Sequence, residues 1–164
     1  MEKYDSLKEI LTYQHKREQD YPLQEHYLTQ LSMRMNYKMK QTLSMVLNDY
    51  RINESMYMTM IILSNQNGNS VSPSDISHIL DCSRTNITRI TDALEKKGYI
   101  QRVINSNDRR AIYIQLTDKG AGFLQQVTDT QKHHLKNMWS VLSETEITAL
   151  EHINRKLLQH FSLF

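Results

Sequence analysis

The sequence has few of the residues that turn or cross-link a chain. Its 164 residues include only four glycines, two prolines and one cysteine. So few turn-forming residues argue against an all-β sandwich or a disordered chain and favour long helices. The single cysteine, Cys82, excludes a disulfide within the chain, and a cysteine-based zinc site would need more thiols. No apolar run approaches the roughly 18 residues of a membrane-spanning helix, so we expect a cytoplasmic protein.

The chain also has little net charge, but its charges are unevenly distributed. The total is +2 at pH 7, and residues 1–50 and 121–164 each carry equal numbers of basic and acidic side chains. Residues 83–110 carry seven basic and three acidic side chains, a net charge of +4. A local basic excess is typical of surfaces that bind nucleic acid, so this segment is the candidate functional region.

Apolar spacing predicts helices on both sides of the basic segment. They are expected over residues 6–18, 22–49, 54–65 and 118–141, with a last helix after Ser143. Ser143-x-x-Glu146 forms a capping box for that last helix. The last helix carries an apolar stripe made of Ile147, Leu150, Ile153, Leu157 and Phe161. A chain of this length fits one domain with an oligomerisation arm.

Turn and capping residues in the basic segment predict two helices followed by a β-hairpin. The expected elements are a helix over 74–80, a tight turn at 81–82, a helix over 84–97 and strands over 99–104 and 111–116. In the short helix, Ile76, Ile79 and Leu80 are expected to face inward. Short helix, tight turn, second helix and hairpin with a basic tip make a winged helix-turn-helix.

The second helix of this motif starts with polar side chains. A major groove about 12 Å wide admits one helix, whose N-terminal side chains meet the base edges. The candidate recognition residues are Ser83, Arg84, Thr85, Asn86, Thr88 and Arg89. At the hairpin tip, Arg109 and Arg110 can enter the adjacent minor groove, with Asp108 holding the Arg110 guanidinium. The alternative is that these residues are the solvated faces of a small α+β domain.

Three motifs in these segments resemble the MarR family of transcriptional regulators. They are Leu94-Glu-x-x-Gly98 at the helix end, Asp108-x-Arg110 in the hairpin and Leu116-Thr-x-x-Gly120 at the start of the next helix. The similarity covers nearly the whole chain and includes Ser83-Arg-Thr-Asn and the segment from Tyr21. Within the family, the chain is most similar to repressors of a multidrug efflux pump.

The resemblance implies a mainly α fold with a small β-hairpin. Interlocking N- and C-terminal helices, residues 1–50 and 118–164, would form a homodimer. Residues 51–117 would form the winged helix-turn-helix domain, with the helix-turn-helix at 74–97 and the wing at 99–116. The dimer would bind a pseudo-palindromic double-stranded DNA operator. A small phenolic or lipophilic effector in a crevice between the two regions would release it. No enzyme activity, cofactor, metal or membrane association is expected.

The effector crevice would be lined by two methionine-rich helices. Flexible thioethers suit a pocket that accepts many apolar shapes, although ordinary core packing is the alternative. The candidate ligand-binding residues are Tyr27, Arg34, Tyr37, Tyr57 and Met58. Cys82 immediately precedes the recognition helix. Two interpretations stay open for it: a redox-sensing thiol, or a small residue that is simply buried in the turn. The neighbouring His133 and His134 point about 100° apart on a helix and do not form a metal-binding face.

These observations predict a homodimeric transcriptional repressor that small ligands release from DNA and that controls drug efflux. Two alternatives stay open. One is a MarR-type regulator of virulence or stress genes, which acts as an activator or responds to redox change. The other is a winged-helix module for protein–protein interaction, which would lack the salt-dependent operator binding expected of the first two.

Overall fold

The chain is mainly helical, with one small β-hairpin. The computed structural model describes residues 3–65, 71–104 and 112–162. The elements are α1 (Lys3–Arg17), α2 (Leu23–Asp49), α3 (Glu54–Ser64), α4 (Pro73–Ile79), α5 (Arg84–Lys96), β1 (Ile100–Ile104), β2 (Ile112–Leu116), α6 (Asp118–Trp139) and α7 (Glu144–Phe161). These bounds differ from the predicted ones by three residues or fewer. The predicted fold class is confirmed. Within the described ranges, each helix is too short or too polar to span a bilayer.

Five of the described helices begin at a side chain that caps them. In each, the side-chain oxygen accepts a hydrogen bond from the backbone N–H three residues later. The caps are Asn53, Ser72, Ser83, Thr117 and Ser143. Because the first turn of a helix leaves backbone donors without partners, short polar side chains at these positions stabilise the helix starts.

The hairpin is antiparallel and carries one extra bridge. Ile100 pairs with Leu116 at its base, and Ile104 pairs with Ile112 at its far end. Val71 pairs with Ile114 on the other side of β2, through two backbone hydrogen bonds of 3.1 and 2.9 Å. This bridge joins the segment before α4 to the hairpin. A single bridging residue has no periodicity, so the sequence does not predict it.

The molecule has two compact units, each with most of its contacts inside itself. One ends at Ser44 and the other begins at Met45. In the first unit, a turn joins α1 to α2. There the Nδ1 atom of His15 lies 3.0 Å from the Tyr21 carbonyl oxygen, and the Tyr21 hydroxyl contacts Nδ1 of His26. The predicted functional boundaries at residues 50 and 118 stay predictions.

The second unit holds a hydrophobic core between α3, α4, α5, the hairpin and α6. Its completely buried apolar side chains are Leu47, Met60, Ile76, Ile87, Leu94, Ile114 and Val127. The prediction that Ile79 faces inward is wrong, because 54% of it is exposed. Ile76 and Leu80 lie about 40° apart on the helix and pack on the core, whereas Ile79 lies about 100° from Leu80. A helix of seven residues therefore turns only one narrow stripe toward the core.

Candidate nucleic-acid interface

Hydrogen bonds and one left-handed residue form the turn between α4 and α5. Asp81 has a φ of 46°. The N–H of Cys82 donates to the Ser77 carbonyl at 3.1 Å, and the Ser77 hydroxyl donates to the Cys82 carbonyl at 2.5 Å. Aspartate tolerates a positive φ because its short polar side chain can form local hydrogen bonds. The turn therefore needs no glycine, and it sets the position of α5 relative to α4.

α5 has one buried face and one exposed face. Ile87 and Leu94 are completely buried, and Ile90 is nearly so. Of the candidate recognition residues, Asn86 is half-buried, and the exposed ones are Ser83, Arg84, Thr85, Thr88 and Arg89. The buried face anchors the helix in the core, so that polar side chains of its first two turns face solvent.

The predicted hairpin tip falls outside the part of the chain that the structure describes. β1 ends at Ile104 and β2 begins at Ile112. Asp108, Arg109 and Arg110 lie between them in the sequence. Their roles in the minor groove therefore stay predictions.

Arg102 also belongs to this region. The sequence indicated it only as one of the seven basic residues of the basic segment, residues 83–110. It lies on β1, and its guanidinium bonds to three side chains of α5. Nη2 donates to Asp92 Oδ1 at 2.5 Å and to Thr91 Oγ1 at 3.1 Å, and Nη1 donates to Glu95 Oε2. No local spacing connects a strand residue to a helix seven to eleven positions earlier, so only the fold brings these groups together.

These contacts change the electrostatics of the patch. The hydrogen bond to Asp92 is the main cause that raises the pKa of the Arg102 guanidinium above its ordinary value, and the charges of Glu95 and Asp92 add to it. Arg102 is 35% exposed, and its two acidic partners are 58% and 38% exposed. At such exposure a pair adds little to stability, about 1 kcal/mol or less. Its greater effect is on the charge that α5 presents.

The end of α5 is joined to the start of α6. Gly98 has a φ of 73° and ends the helix. The Thr117 hydroxyl donates to the Gly98 carbonyl at 2.7 Å and accepts from the Gly120 N–H at 3.0 Å. The Tyr99 ring stacks on Phe123, with ring centroids 4.2 Å apart. These contacts link the orientation of α5 to that of α6.

Comparison with known proteins agrees with this geometry. The family model described as MarR family matches residues 52–112, which include the helix-turn-helix, β1 and the first residue of β2. The chain is 44% identical to the HTH-type transcriptional regulator PapX of Escherichia coli over 162 residues, 99% of each chain. It is 43% identical to the transcriptional repressor MprA of E. coli strain K12 over 155 residues, 94% of this chain and 88% of MprA. The chain belongs to the MarR family.

The fold of this MarR-family protein is also found in a solved complex with DNA. A mutant MarR from E. coli, complexed with operator DNA, has a TM-score of 0.71 at 23% identity, over 80% of this chain and 93% of that chain. The protein is a DNA-binding transcriptional regulator and not an enzyme. The resemblance to the MarR family, drawn from the motifs of the sequence, is confirmed, and a transcriptional repressor is among the similar proteins.

The predicted ligand-binding residues of this MarR-family protein are divided between the two units. Tyr27, Arg34 and Tyr37 lie on α2 in the first unit, whereas Tyr57 and Met58 lie on α3 in the second. Tyr37 is 61% exposed, and the Gln41 amide donates to its hydroxyl at 2.9 Å. Tyr57 is buried, with its hydroxyl 3.4 Å from Thr128 Oγ1. Their role in binding an effector stays a prediction.

Two other predictions concern cysteine and metal chemistry. Cys82 is a free, half-buried thiol in the turn before α5. A redox role for it stays a prediction. Among the described residues, no group of three or more His, Cys, Asp or Glu side chains is placed to hold a metal ion.

Proposed function

We propose that this MarR-family protein is a homodimeric repressor that a small phenolic or lipophilic molecule releases from a pseudo-palindromic operator. The observation that carries the proposal is the polar, exposed start of α5, opposite a buried apolar face. A helix held in this way can enter a major groove without disturbing the core.

The exposed residues of α5 have different tasks in this proposal. Thr85 and Arg89 read base edges, because they lie on the face opposite Ile87 and Leu94. Ser83 and Arg84 contact phosphate beside the helix N-terminus, where backbone N–H groups favour anions. Arg110, on the connection between the strands, enters the minor groove, with Asp108 holding it and Arg109 as a further contact.

A groove between the end of α6 and α7 supports the homodimer. It has a volume of about 710 Å³, and its apolar lining is Leu135, Trp139, Leu142, Ile147, Leu150 and Leu158. Ile153, Leu157 and Phe161 of the predicted apolar stripe are also exposed. An exposed apolar surface of this kind marks a protein interface. A second copy of the chain, with its charge-balanced terminal helices, is the proposed occupant.

Similarity to the transcriptional repressor MprA supports repression. A drug-efflux operon is the target that we propose. An apolar effector fits the methionines of α2 and α3, since thioethers adapt to varied shapes. Its candidate contacts are Tyr27, Arg34, Tyr37, Tyr57 and Met58. Binding that favours the DNA-free form of the dimer would lower operator affinity.

Selection of duplexes from a random DNA pool tests the proposal. The protein should bind selected duplexes with nanomolar Kd, and rising salt should weaken binding steeply. Salicylate or a lipophilic uncoupler should raise the Tm of the free protein and weaken binding to the selected duplex. Equal affinity for selected and random duplexes would contradict operator recognition. Unchanged Tm and affinity with each compound would contradict ligand release.

A further inference from the structure

The guanidinium of Arg102 bridges the hairpin and the recognition helix. Its partners Thr91, Asp92 and Glu95 lie on the second half of α5, whereas Arg102 itself lies on β1. Thr91 is almost completely buried, and its hydroxyl donates to the Ile87 and Thr88 carbonyls, both at 3.0 Å. The same oxygen accepts from Arg102. One planar cation therefore contacts both the buried edge and the exposed edge of the helix.

Asp92 lies on the face of α5 proposed to read DNA. It is seven residues after Thr85 and three after Arg89, which places it within about 60° of both around the helix. A carboxylate on this face, with a second one at Glu95, opposes the approach of a duplex that carries one negative charge per about 1.7 Å. Arg102 donates hydrogen bonds to both carboxylates, and its single positive charge offsets one of their two negative charges.

The shape of the guanidinium suits this task. Its fixed fork of donors can bond several acceptors at once, whereas a lysine ammonium acts as a point charge. Because at least two of its nitrogens already donate to α5, Arg102 differs from a side chain that extends toward phosphate. It also holds β1 beside α5, and β1 leads directly into the basic tip in the sequence.

We propose that Arg102 is a positioning residue for DNA binding, which reduces the negative charge of Asp92 and Glu95 on α5 and holds the hairpin against the recognition helix. This inference rests on the proposed DNA contacts of α5 and the hairpin. Arg102 acts through α5 and needs no contact of its own with DNA.

Charge-removing variants in the full-length protein test this role with a selected duplex. Arg102→Gln should weaken binding roughly tenfold, because it exposes two unpaired carboxylates on the DNA-facing helix. The loss should shrink as salt rises, since screening weakens the repulsion. Adding Asp92→Asn and Glu95→Gln to Arg102→Gln should restore most of the affinity. Lys132→Gln is the matched control, because it removes the same charge from an exposed pair with Asp129 on α6.

Each result has one interpretation. Arg102→Gln that binds as well as the wild type overturns the inference. A variant with all three substitutions that binds as weakly as Arg102→Gln also overturns it. If the slope of log K against log salt concentration falls by about one in both the single and the triple variant, Arg102 instead contacts a phosphate directly. The Tm of each variant without DNA checks that it is folded, and the triple variant has no unpaired charge at this site. A wild-type protein that binds no duplex overturns the proposed function and this inference with it.

Discussion

Gly120 occupies a position where the backbones of two segments almost touch. A β-carbon added there would lie 1.9 Å from the Tyr99 carbonyl oxygen and 2.8 Å from its carbon. We expect Gly120→Ala to lower the free energy of unfolding by about 3 kcal/mol, because the backbone must shift to make room. Urea denaturation followed by circular dichroism measures the change.

Gly122 provides a matched control on the same helix. A β-carbon at Gly122 would have no atom within 4 Å. Gly122→Ala should therefore raise stability by roughly 0.5–1 kcal/mol through helix propensity alone. Equal effects of the two substitutions would rule out the close approach at Gly120.

The recognition helix and the hairpin tip should differ in what they contribute to binding. Thr85→Ala or Arg89→Ala should cost about 1–3 kcal/mol on a selected duplex and relax base preference, since these side chains read base edges. Arg110→Ala should weaken binding to all sequences, because minor-groove and phosphate contacts carry little sequence information. Kd values on selected and random duplexes separate the two. Equal losses on both DNAs for every variant would contradict this division.

Which single residues could be predicted depends on whether their surroundings are local. The two faces of α5 follow from helical period alone, because Ile87 and Leu94 are seven residues apart and both are buried. The partners of Arg102 lie on another element, so no periodicity indicates them. The close approach at Gly120 likewise depends on where the Tyr99 backbone lies beside α6. The sequence indicated Gly120 only as part of the family motif.

At the level of elements, the capping box of α7 predicts a pH dependence. The Ser143 N–H donates to Glu146 Oε2 at 2.8 Å, and this backbone hydrogen bond is the main cause that lowers the pKa of Glu146 below 4.5. A carboxyl whose pKa is lowered by folding contributes its full stabilisation at pH values above its ordinary, unfolded-state pKa. That contribution is lost as the pH falls through its pKa in the folded protein. Glu146→Gln should therefore lower Tm at neutral pH.

The difference in Tm between wild type and Glu146→Gln should shrink as pH falls below 4.5, because the wild-type carboxyl then becomes protonated. Glutamine keeps the size of the side chain and can still accept from Ser143, so the comparison isolates the charge. Thermal melting over a pH series measures it. A difference that stays constant through the acid range would show that the charge of Glu146 contributes nothing.

The helices were predictable because their starts are determined within one turn. Cap residues such as Asn53 and Thr117 bond to a backbone N–H three residues later, so the sequence alone contains the information. The Val71 bridge has no such local signal, because its partner Ile114 is 43 positions away in the chain. Ile79 shows a second difficulty, since a short helix buries fewer positions than its apolar residues suggest.

At the level of the whole molecule, the groove between α6 and α7 predicts that the dimer depends on its apolar lining. Leu158 lines the groove and is 65% exposed. Leu158→Glu should convert the dimer to a monomer at micromolar concentration, because it places a charge in an apolar interface. Gln159→Glu adds the same charge on the polar face of α7, beside His152 and Lys156, and should leave the dimer intact. Light scattering measures both, and a monomeric wild-type protein would contradict the dimer.

In the proposed dimer, two copies of α5 read two half-sites of one operator. Footprinting on the DNA upstream of the protein's own gene tests it most directly. We expect two protected segments about 34 Å apart along one face of the duplex, since dimers place their recognition helices in successive major grooves. Protection should weaken when a phenolic ligand is added. A single protected segment, or the same protection on random DNA, would show that the protein does not bind two half-sites as a dimer.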